Sequence, residues 1–157
     1  MDKKGLLNRD GASVSLTAAG RKRIVVVFIG GGFEVIHSGH LYTIKEARRL
    51  GDVLVAVVAT DRTIRERKGR DPVAGQTQRM ELLSALRMVD CAILGVEGDI
   101  YRTLERVGPD VVALGYDQHH LETDIQREGR KRGMNLTVVR LGSPYPSVKT
   151  SRILREL

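Results

Sequence analysis

Five short runs of apolar, mostly β-branched residues recur along the chain, and amphipathic segments separate them. The runs are nearly continuous in apolar character, as in parallel strands that are covered on both faces. They occupy residues 24–29, 53–59, 91–94, 110–114 and 136–140. The segments between them space apolar residues at helical intervals and end near Gly or Pro, as crossover helices do. The pattern predicts an α/β fold with a Rossmann-like, doubly wound, five-stranded parallel sheet.

The two ends of the chain depart from this alternation. Residues 1–23 are basic and lack apolar periodicity, so we expect a mobile N-terminal arm that precedes one domain over 24–157. The segment 15–23 also resembles the end of a winged-helix module, which is the alternative for this region. After the loop GSPYP, residues 147–157 predict a C-terminal helix that Ser or Thr residues can cap.

The positive charge of the chain is concentrated in the arm. Residues 1–23 contain six Lys or Arg and two Asp, which gives four of the seven net positive charges of the chain. The whole chain has only two Phe, four Tyr and no Trp. Because bases stack on aromatic side chains, phosphate-bearing small molecules are better partners than nucleic acid. No apolar run approaches the roughly 20 residues that cross a bilayer, and none follows the N-terminal charges as in a signal peptide. We expect a cytoplasmic protein without a membrane partner.

A glycine-rich turn follows the first predicted strand and opens the first predicted helix. It reads Gly30-Gly31-Gly32, and His37 and His40 come shortly after it. In an open parallel sheet, ligands bind at the carboxyl ends of strands, where the free N–H groups of the next helix favour an anion. The spacing matches neither G-x-G-x-x-G nor a P-loop. The turn predicts a phosphate site in which two imidazoles hydrogen-bond phosphate oxygens and stabilise the charge that develops during transfer.

The same stretch resembles the signature of the HxGH nucleotidyltransferases, Gly-Thr-Phe-Asp-x-x-His-x-Gly-His. Five positions match it, namely Gly31, Phe33, His37, Gly39 and His40. Gly32 stands where the family has Thr, so a hydroxyl is missing, and Glu34 stands where it has Asp, so the charge is carried on a longer arm. The resemblance covers residues 24–157. It implies that the matching residues and Gly32 bind the nucleotide, with Glu34 in support.

Two further segments resemble the family after the second predicted strand. Lys68 resembles the lysine that meets the phosphates, and a solvated surface charge is its alternative. We interpret the neighbouring Arg65, Arg67 and Arg70 as solvated surface charges. Gln78-Arg79 resembles the family's Q-R pattern at the start of the next helix, which implies a supporting role for Arg79.

Two more segments follow later strands. The loop after the fourth strand contains Gly115, Tyr116 and Asp117. Asp117 can accept hydrogen bonds from ribose hydroxyls or an exocyclic amine, or cap the next helix, while Gly115 and Tyr116 would support it. Thr150 and Ser151 resemble the family's Ser/Thr-rich motif, whose hydroxyl and N–H groups bind the outer phosphates, with Arg152 in support. A plain helix cap is the alternative for these hydroxyls.

The resemblance implies an in-line nucleotidyl transfer without a protein nucleophile, in which His37, His40 and Lys68 are catalytic. The segments LGYDQ and ERKGR are most similar to those of archaeal FAD synthases, which transfer AMP from ATP to FMN and release pyrophosphate. Glycerol-3-phosphate cytidylyltransferases, which use CTP, are nearly as similar. A divalent cation, Mg²⁺, would be carried by the triphosphate. A homodimer is left open.

Other chemistry stays open at this stage. His37 and His40 could be a zinc pair completed by His119 and His120, or helix-start histidines with local partners. A different class of protein, a nucleotide-sensing regulator whose basic arm touches DNA, would use the same domain without turnover. The specificity of the motif favours the enzyme over these alternatives.

Overall fold

The computed structural model describes residues 4–156. Its strands are β1 (Leu7–Asp10), β2 (Ser13–Leu16), β3 (Val26–Gly31), β4 (Val53–Val58), β5 (Cys91–Leu94), β6 (Val111–Leu114) and β7 (Thr137–Arg140). The first two form a separate antiparallel hairpin, and the other five form one sheet in the order β5-β4-β3-β6-β7. All four pairings in that sheet are parallel. The predicted five-stranded parallel sheet is confirmed.

One short helix follows the hairpin, and the others connect the parallel strands and end the described chain. They are α1 (Ala18–Arg21), α2 (Ser38–Arg48), α3 (Asp61–Lys68), α4 (Gln76–Ser84), α5 (Ile100–Val107), α6 (Glu122–Lys131) and α7 (Thr150–Glu156). The predicted C-terminal helix is present as α7, and Leu157 lies outside the described residues. Helix α3 was not predicted. Between residues 4 and 156, no helix is long and apolar enough to cross a membrane.

Successive residues of the strands point to opposite faces of the sheet, and each face has its own core. Val27 and Ile29 of β3 pack with Ile44 of α2 on one face, in a cluster that also contains Leu83 of α4. Val26 and Phe28 pack on the other face with residues of α5 and α6, Leu104 and Ile125. Because helices cover both faces, both sets of strand residues must be apolar, which is why the runs in the sequence do not alternate. The fold is doubly wound, as predicted.

The strand order reverses beside β3. The chain runs from β3 through α2 to β4 on one side, whereas β6 pairs with β3 on the other side. Connections on the two sides therefore diverge from the carboxyl ends of β3 and β6 and leave a crevice between them. The loops that follow these two strands carry most of the predicted site.

Residues 7–21 form the hairpin of β1 and β2 and the short helix α1, which the sequence did not predict, while the mobility of the arm stays a prediction. Residues 1–3 lie outside the described part. Thr17 caps α1 by accepting a hydrogen bond from the Gly20 amide at 3.0 Å and donates one to the Gly5 carbonyl at 2.8 Å. The guanidinium of Arg21 joins this unit to the sheet domain through the Gly108 carbonyl and Asp110, at 2.7 and 2.9 Å. The hairpin strands themselves are largely exposed.

We propose that the sheet domain folds without residues 1–20. A chain that lacks them retains Arg21, and its midpoint of thermal unfolding should fall by less than about 5 °C, because the hairpin strands that are removed are largely exposed. Circular dichroism during thermal unfolding measures this. Arg21→Ala in the full chain measures the separate contribution of the ion pair with Asp110, which should be small because the pair is partly exposed. A truncated chain without cooperative unfolding would contradict the boundary.

Candidate active site

A cavity of about 410 Å³ opens where β3 and β6 end. The predicted residues that line it are Gly31, Phe33, His37, Gly39, His40, Lys68, Gly115, Tyr116, Asp117, Thr150 and Ser151. These residues come from four segments that are far apart in the sequence, and the sheet brings them to one edge. Gly32, Glu34, Arg79 and Arg152 are the predicted site residues that do not line this cavity.

The turn after β3 depends on close contacts between rings and glycines. Phe33 is buried and has a backbone φ of 49°, which is rare for a residue with a side chain. A Cβ at Gly31 would lie 3.0 Å from the Phe33 ring, and one at Gly39 would lie 3.1 Å from the His37 ring. A larger residue at either position would displace the adjacent ring. The two glycines therefore permit the arrangement of the aromatic side chains on the cavity wall.

The two histidines of the motif lie side by side in the cavity. Their ring centroids are 4.0 Å apart with an angle of 27° between the planes, and the Phe33 ring lies 5.4 Å from that of His40. His37 is at the N-cap position of α2, but its side chain makes no capping hydrogen bond. The Nδ1 atoms of both histidines are buried without a hydrogen-bond partner. Of the local partners that the helix-start alternative requires, a capping hydrogen bond is absent at His37, whereas His40 has a backbone hydrogen bond with Val35. The Nδ1 atom of each ring retains unused hydrogen-bonding capacity.

Burial keeps both imidazoles neutral at physiological pH. Desolvation and the neighbouring His37 lower the pKa of His40 to about 4. Desolvation also lowers the pKa of His37, although the carboxylate of Asp117 opposes this. A neutral imidazole has one N–H donor and one acceptor nitrogen, so each ring can donate one hydrogen bond and accept one without carrying a charge.

Lys68 reaches the cavity from the end of a helix. It is the last residue of α3, so the prediction that it directly follows a strand is wrong. Its ammonium donates a hydrogen bond to Glu34, whose side chain has no exposed surface. Arg70 binds the same carboxylate through two nitrogens, at 2.7 and 3.1 Å. Arg70 is thus not the solvated surface charge that the sequence predicted.

Glu34 is ionised in spite of its burial. Desolvation raises its pKa, but the hydrogen bonds from Arg70 and Lys68 outweigh that effect and lower the pKa to about 2. The Val73 amide donates a further hydrogen bond at 3.3 Å. One carboxylate thus fixes two cations beside the cavity without lining it.

Arg79 supports the turn from behind. Its side chain is 1% exposed and donates to the Gly32 carbonyl at 2.6 Å, to the Ala74 carbonyl at 2.9 Å and to Asp61 at 2.7 Å. The guanidinium therefore binds the backbone of the glycine-rich turn and does not face the cavity. A Cβ at Gly32 would be in ordinary contact with its neighbours, the nearest being Ile64 at 3.7 Å.

The loop after β6 forms the opposite wall. The Tyr116 hydroxyl donates to the Pro146 carbonyl at 2.8 Å, and Lys149 lies 3.7 Å from Asp117 and 5.4 Å from the Tyr116 ring centroid. These contacts join the loop to the segment that leads into α7. The N-cap position of α6 is Leu121, so the alternative that Asp117 caps this helix is wrong.

Two residues that sequence reasoning missed shape this loop. The Gln118 amide donates to the Gly30 carbonyl at 2.5 Å and its oxygen accepts from the Gly115 amide at 3.2 Å, which joins the loop after β6 to the end of β3. Arg140, at the end of β7, donates to the carbonyls of Gly115 and Gln118 at 3.0 Å. It also pairs with Glu122 at 2.7 Å. The only available signal for Arg140 was a charged residue that ends an apolar strand.

Helix α7 brings its first residues to the cavity. The Thr150 hydroxyl lies 3.5 Å from the Val35 carbonyl, and Ser151 is exposed on the cavity wall. Arg152 points away and pairs with Glu156 at 2.9 Å, so the structure does not bring it to the site. His119 lines the cavity as well. Within residues 4–156, no three His, Cys, Asp or Glu side chains are grouped as metal ligands.

The depressed pKa of His40 predicts a pH-dependent stability. Between about pH 6.5 and pH 4 the unfolded chain binds a proton at this position that the folded chain does not. The contribution of neutral His40 to the free energy of unfolding is therefore complete above pH 6.5, and it falls by up to about 3 kcal/mol as the pH drops from 6.5 to 4. Urea unfolding at several pH values measures the slope, which should be shallower in His40→Ala. Parallel slopes for both proteins would contradict the assignment.

Comparison with known proteins agrees with this geometry. Residues 28–156 match the family model described as cytidylyltransferase-like. A FAD synthase of Pyrococcus horikoshii is 40% identical over 141 residues, which are 88% of this chain and 95% of that protein. A FAD synthase of Aciduliprofundum boonei is 45% identical over 118 residues, 75% of this chain and 78% of its own length.

A solved structure supports the same relationship. A crystal structure from Thermoplasma volcanium, described as a lipopolysaccharide core biosynthesis protein, has 41% sequence identity and a TM-score of 0.74 and covers 76% of this chain and 98% of that one. The predicted family resemblance is confirmed. The chain belongs to the cytidylyltransferase-like family, in which its curated relatives are nucleotidyltransferases.

Proposed function

We propose that the chain is an FMN adenylyltransferase, which transfers AMP from ATP to FMN and releases pyrophosphate. The observation that carries this proposal is the identity of about 40% to archaeal FAD synthases over most of both chains. The geometry supports it, because two neutral imidazoles, a lysine and two hydroxyl side chains surround one cavity at the carboxyl edge of the sheet. Such a site provides hydrogen bonds and positive charge for a polyphosphate.

The transfer needs one bond to form and one to break. An oxygen of the FMN phosphate attacks the α-phosphorus of ATP, and the bond from that phosphorus to the bridging oxygen of the β-phosphate breaks. Pyrophosphate leaves with the electron pair, so no protein nucleophile or proton acceptor is required. The protein contributes by aligning the two substrates and by neutralising charge on the transferring group.

His37 and His40 are suited to the α-phosphate. Their stacked rings place two donors on one wall, and their low pKa values keep them uncharged before ATP binds. A hydrogen bond from a fixed neutral donor strengthens as negative charge grows on the phosphate oxygens in the transition state. These contacts therefore contribute more to the transition state than to substrate binding, which is the condition for a higher kcat.

The opposite end of the triphosphate is suited to Lys68, Thr150 and Ser151. The ammonium and the two hydroxyls lie on the same cavity, and the hydroxyls stand at the first turn of α7. Asp117, on the loop after β6, would accept hydrogen bonds from the ribose or the base. Mg²⁺ would enter bound to ATP, because the phosphate oxygens supply the hard ligands that this ion prefers.

Incubation with Mg²⁺, ATP and FMN should yield FAD and one equivalent of pyrophosphate. Chromatography detects FAD, and a coupled assay detects pyrophosphate. CTP with glycerol 3-phosphate serves as the competing pair, since the matched family model is described as cytidylyltransferase-like. Pyrophosphate with CTP alone would refute the adenylyl assignment. No transfer with either pair, combined with nucleotide binding, would favour a nucleotide-sensing regulator.

His40→Ala should lower kcat by on the order of a hundredfold or more, with a much smaller change in the KM for ATP, because it removes one transition-state donor. His119→Ala is the matched comparison, since this histidine is exposed and lies at the rim of the same cavity. It should cost far less. Equal losses in both variants would revive a zinc site, which metal analysis of the purified protein would then test.

A further inference from the structure

A second cavity of about 560 Å³ adjoins the first and is almost entirely basic. Its lining residues are Lys68, Arg70, Ser151 and Arg155, and two of these, Lys68 and Ser151, also line the first cavity. A polyphosphate that extends from the paired histidines past Lys68 would enter this second space. Three cations and one hydroxyl then surround its outer end.

Glu34 lies behind two of those cations. Its carboxylate is fully buried and accepts hydrogen bonds from Lys68 and Arg70 simultaneously. The side chains of the two cations, in contrast, are 43% and 38% exposed on the side of the cavity. A buried carboxylate that binds two partly exposed cations restricts their rotamers. Arg70 uses both hydrogens of Nη1, on Glu34 and on the Asp71 carbonyl at 2.9 Å, and one hydrogen of Nη2 on Glu34, so its second Nη2 hydrogen and its Nε–H are the donors that it can offer to an anion.

The backbone of the glycine-rich turn leaves room for this arrangement. A Cβ at position 32 would lie 3.8 Å from the Lys68 nitrogen and 4.0 Å from a Glu34 carboxylate oxygen. Both distances are ordinary van der Waals contacts, so the backbone of the turn packs directly beside the ion pair without crowding it.

The carboxylate has a second effect, which opposes anion binding. It offsets one of the two positive charges on Lys68 and Arg70, so a polyphosphate interacts with a pair whose net charge is one rather than two. At a separation of about 5 Å in a partly hydrated site, one unit charge changes the affinity for an anion by on the order of tenfold. Glu34 thus orients the two cations and at the same time lowers their affinity for a bound polyphosphate.

We propose that Glu34 is a positioning residue for nucleotidyl transfer, which orients Lys68 and Arg70 toward the two outer phosphates of the triphosphate and weakens their hold on pyrophosphate so that this product can leave. Arg70 is then a phosphate-binding residue in the second cavity. The inference rests on the proposed function for its catalytic part. Its binding part concerns pyrophosphate alone and is independent of the acceptor.

The test compares pyrophosphate affinity with turnover in two variants of Glu34. In Glu34→Gln, titration calorimetry with Mg²⁺ and pyrophosphate should show about tenfold tighter binding, while kcat falls by about tenfold or more because the cations lose their orientation and the product leaves slowly. Glu34→Asp keeps the charge and shortens the arm, so kcat should fall while pyrophosphate affinity changes less than about twofold. Weaker binding with unchanged kcat in Glu34→Gln would overturn the proposal.

Arg70→Gln tests the second cavity without altering a buried group, and it decides the question if the Glu34 variants fail to fold. It should weaken pyrophosphate binding by about tenfold. Arg65→Gln is its matched control, because Arg65 pairs with the exposed Asp71 and lines neither cavity. Equal effects of the two arginine substitutions would show non-specific electrostatics and overturn the site. If the unaltered protein binds pyrophosphate but transfers nothing, the proposed function fails and these binding results still test the cation pair.

Discussion

The position of β3 in the sheet determines where chemistry can occur. This strand is hydrogen-bonded on both edges, to β4 and β6, and its side chains are buried on both faces. A ligand therefore meets it only at its carboxyl end. Since its two neighbours are reached from opposite sides, the loops there separate, and the end of the strand at Gly30 and Gly31 becomes the floor of a cavity rather than part of the core.

Charged groups fix the loops around this floor. Arg79 binds the turn from below, Glu34 fixes the end of α3, and Arg140 binds the loop after β6. Each uses charge-assisted hydrogen bonds to carbonyl or carboxylate oxygens, which are directional where apolar packing is not. Removing one member of such a buried group leaves its partners unpaired, which lowers stability and also allows the loops of the cavity wall to shift. The loops can then lack regular structure and still present side chains at defined positions.

Sequence reasoning recovered the parts of the molecule that depend on local pattern. Continuous apolar runs identify the five parallel strands, and the glycine and histidine spacing identifies the turn on which the site is built. It failed where the cause is tertiary. The charged sequence of α3 carries one buried residue, Ile64, so no apolar stripe marks the helix. The hairpin strands have four residues each and are largely exposed, so their alternation is too short to identify them. Arg70 looked like a surface charge, and Arg140 was not singled out, because their partners are distant in sequence.

Glu34 and His40 have different charge states in one environment, because a lowered pKa leaves a carboxyl group ionised and an imidazole neutral. Both side chains are largely removed from water, which disfavours the charged form of each. Glu34 receives two cations and remains an anion, whereas His40 has a second imidazole and a lysine nearby and remains neutral. The site thus presents cations at one end and neutral donors at the other. The cations would neutralise the outer phosphates of a bound triphosphate, where the leaving group departs. The neutral donors would face the α-phosphorus and bind the ground state without a full ionic bond. Their contribution therefore grows as the bond to the leaving group breaks.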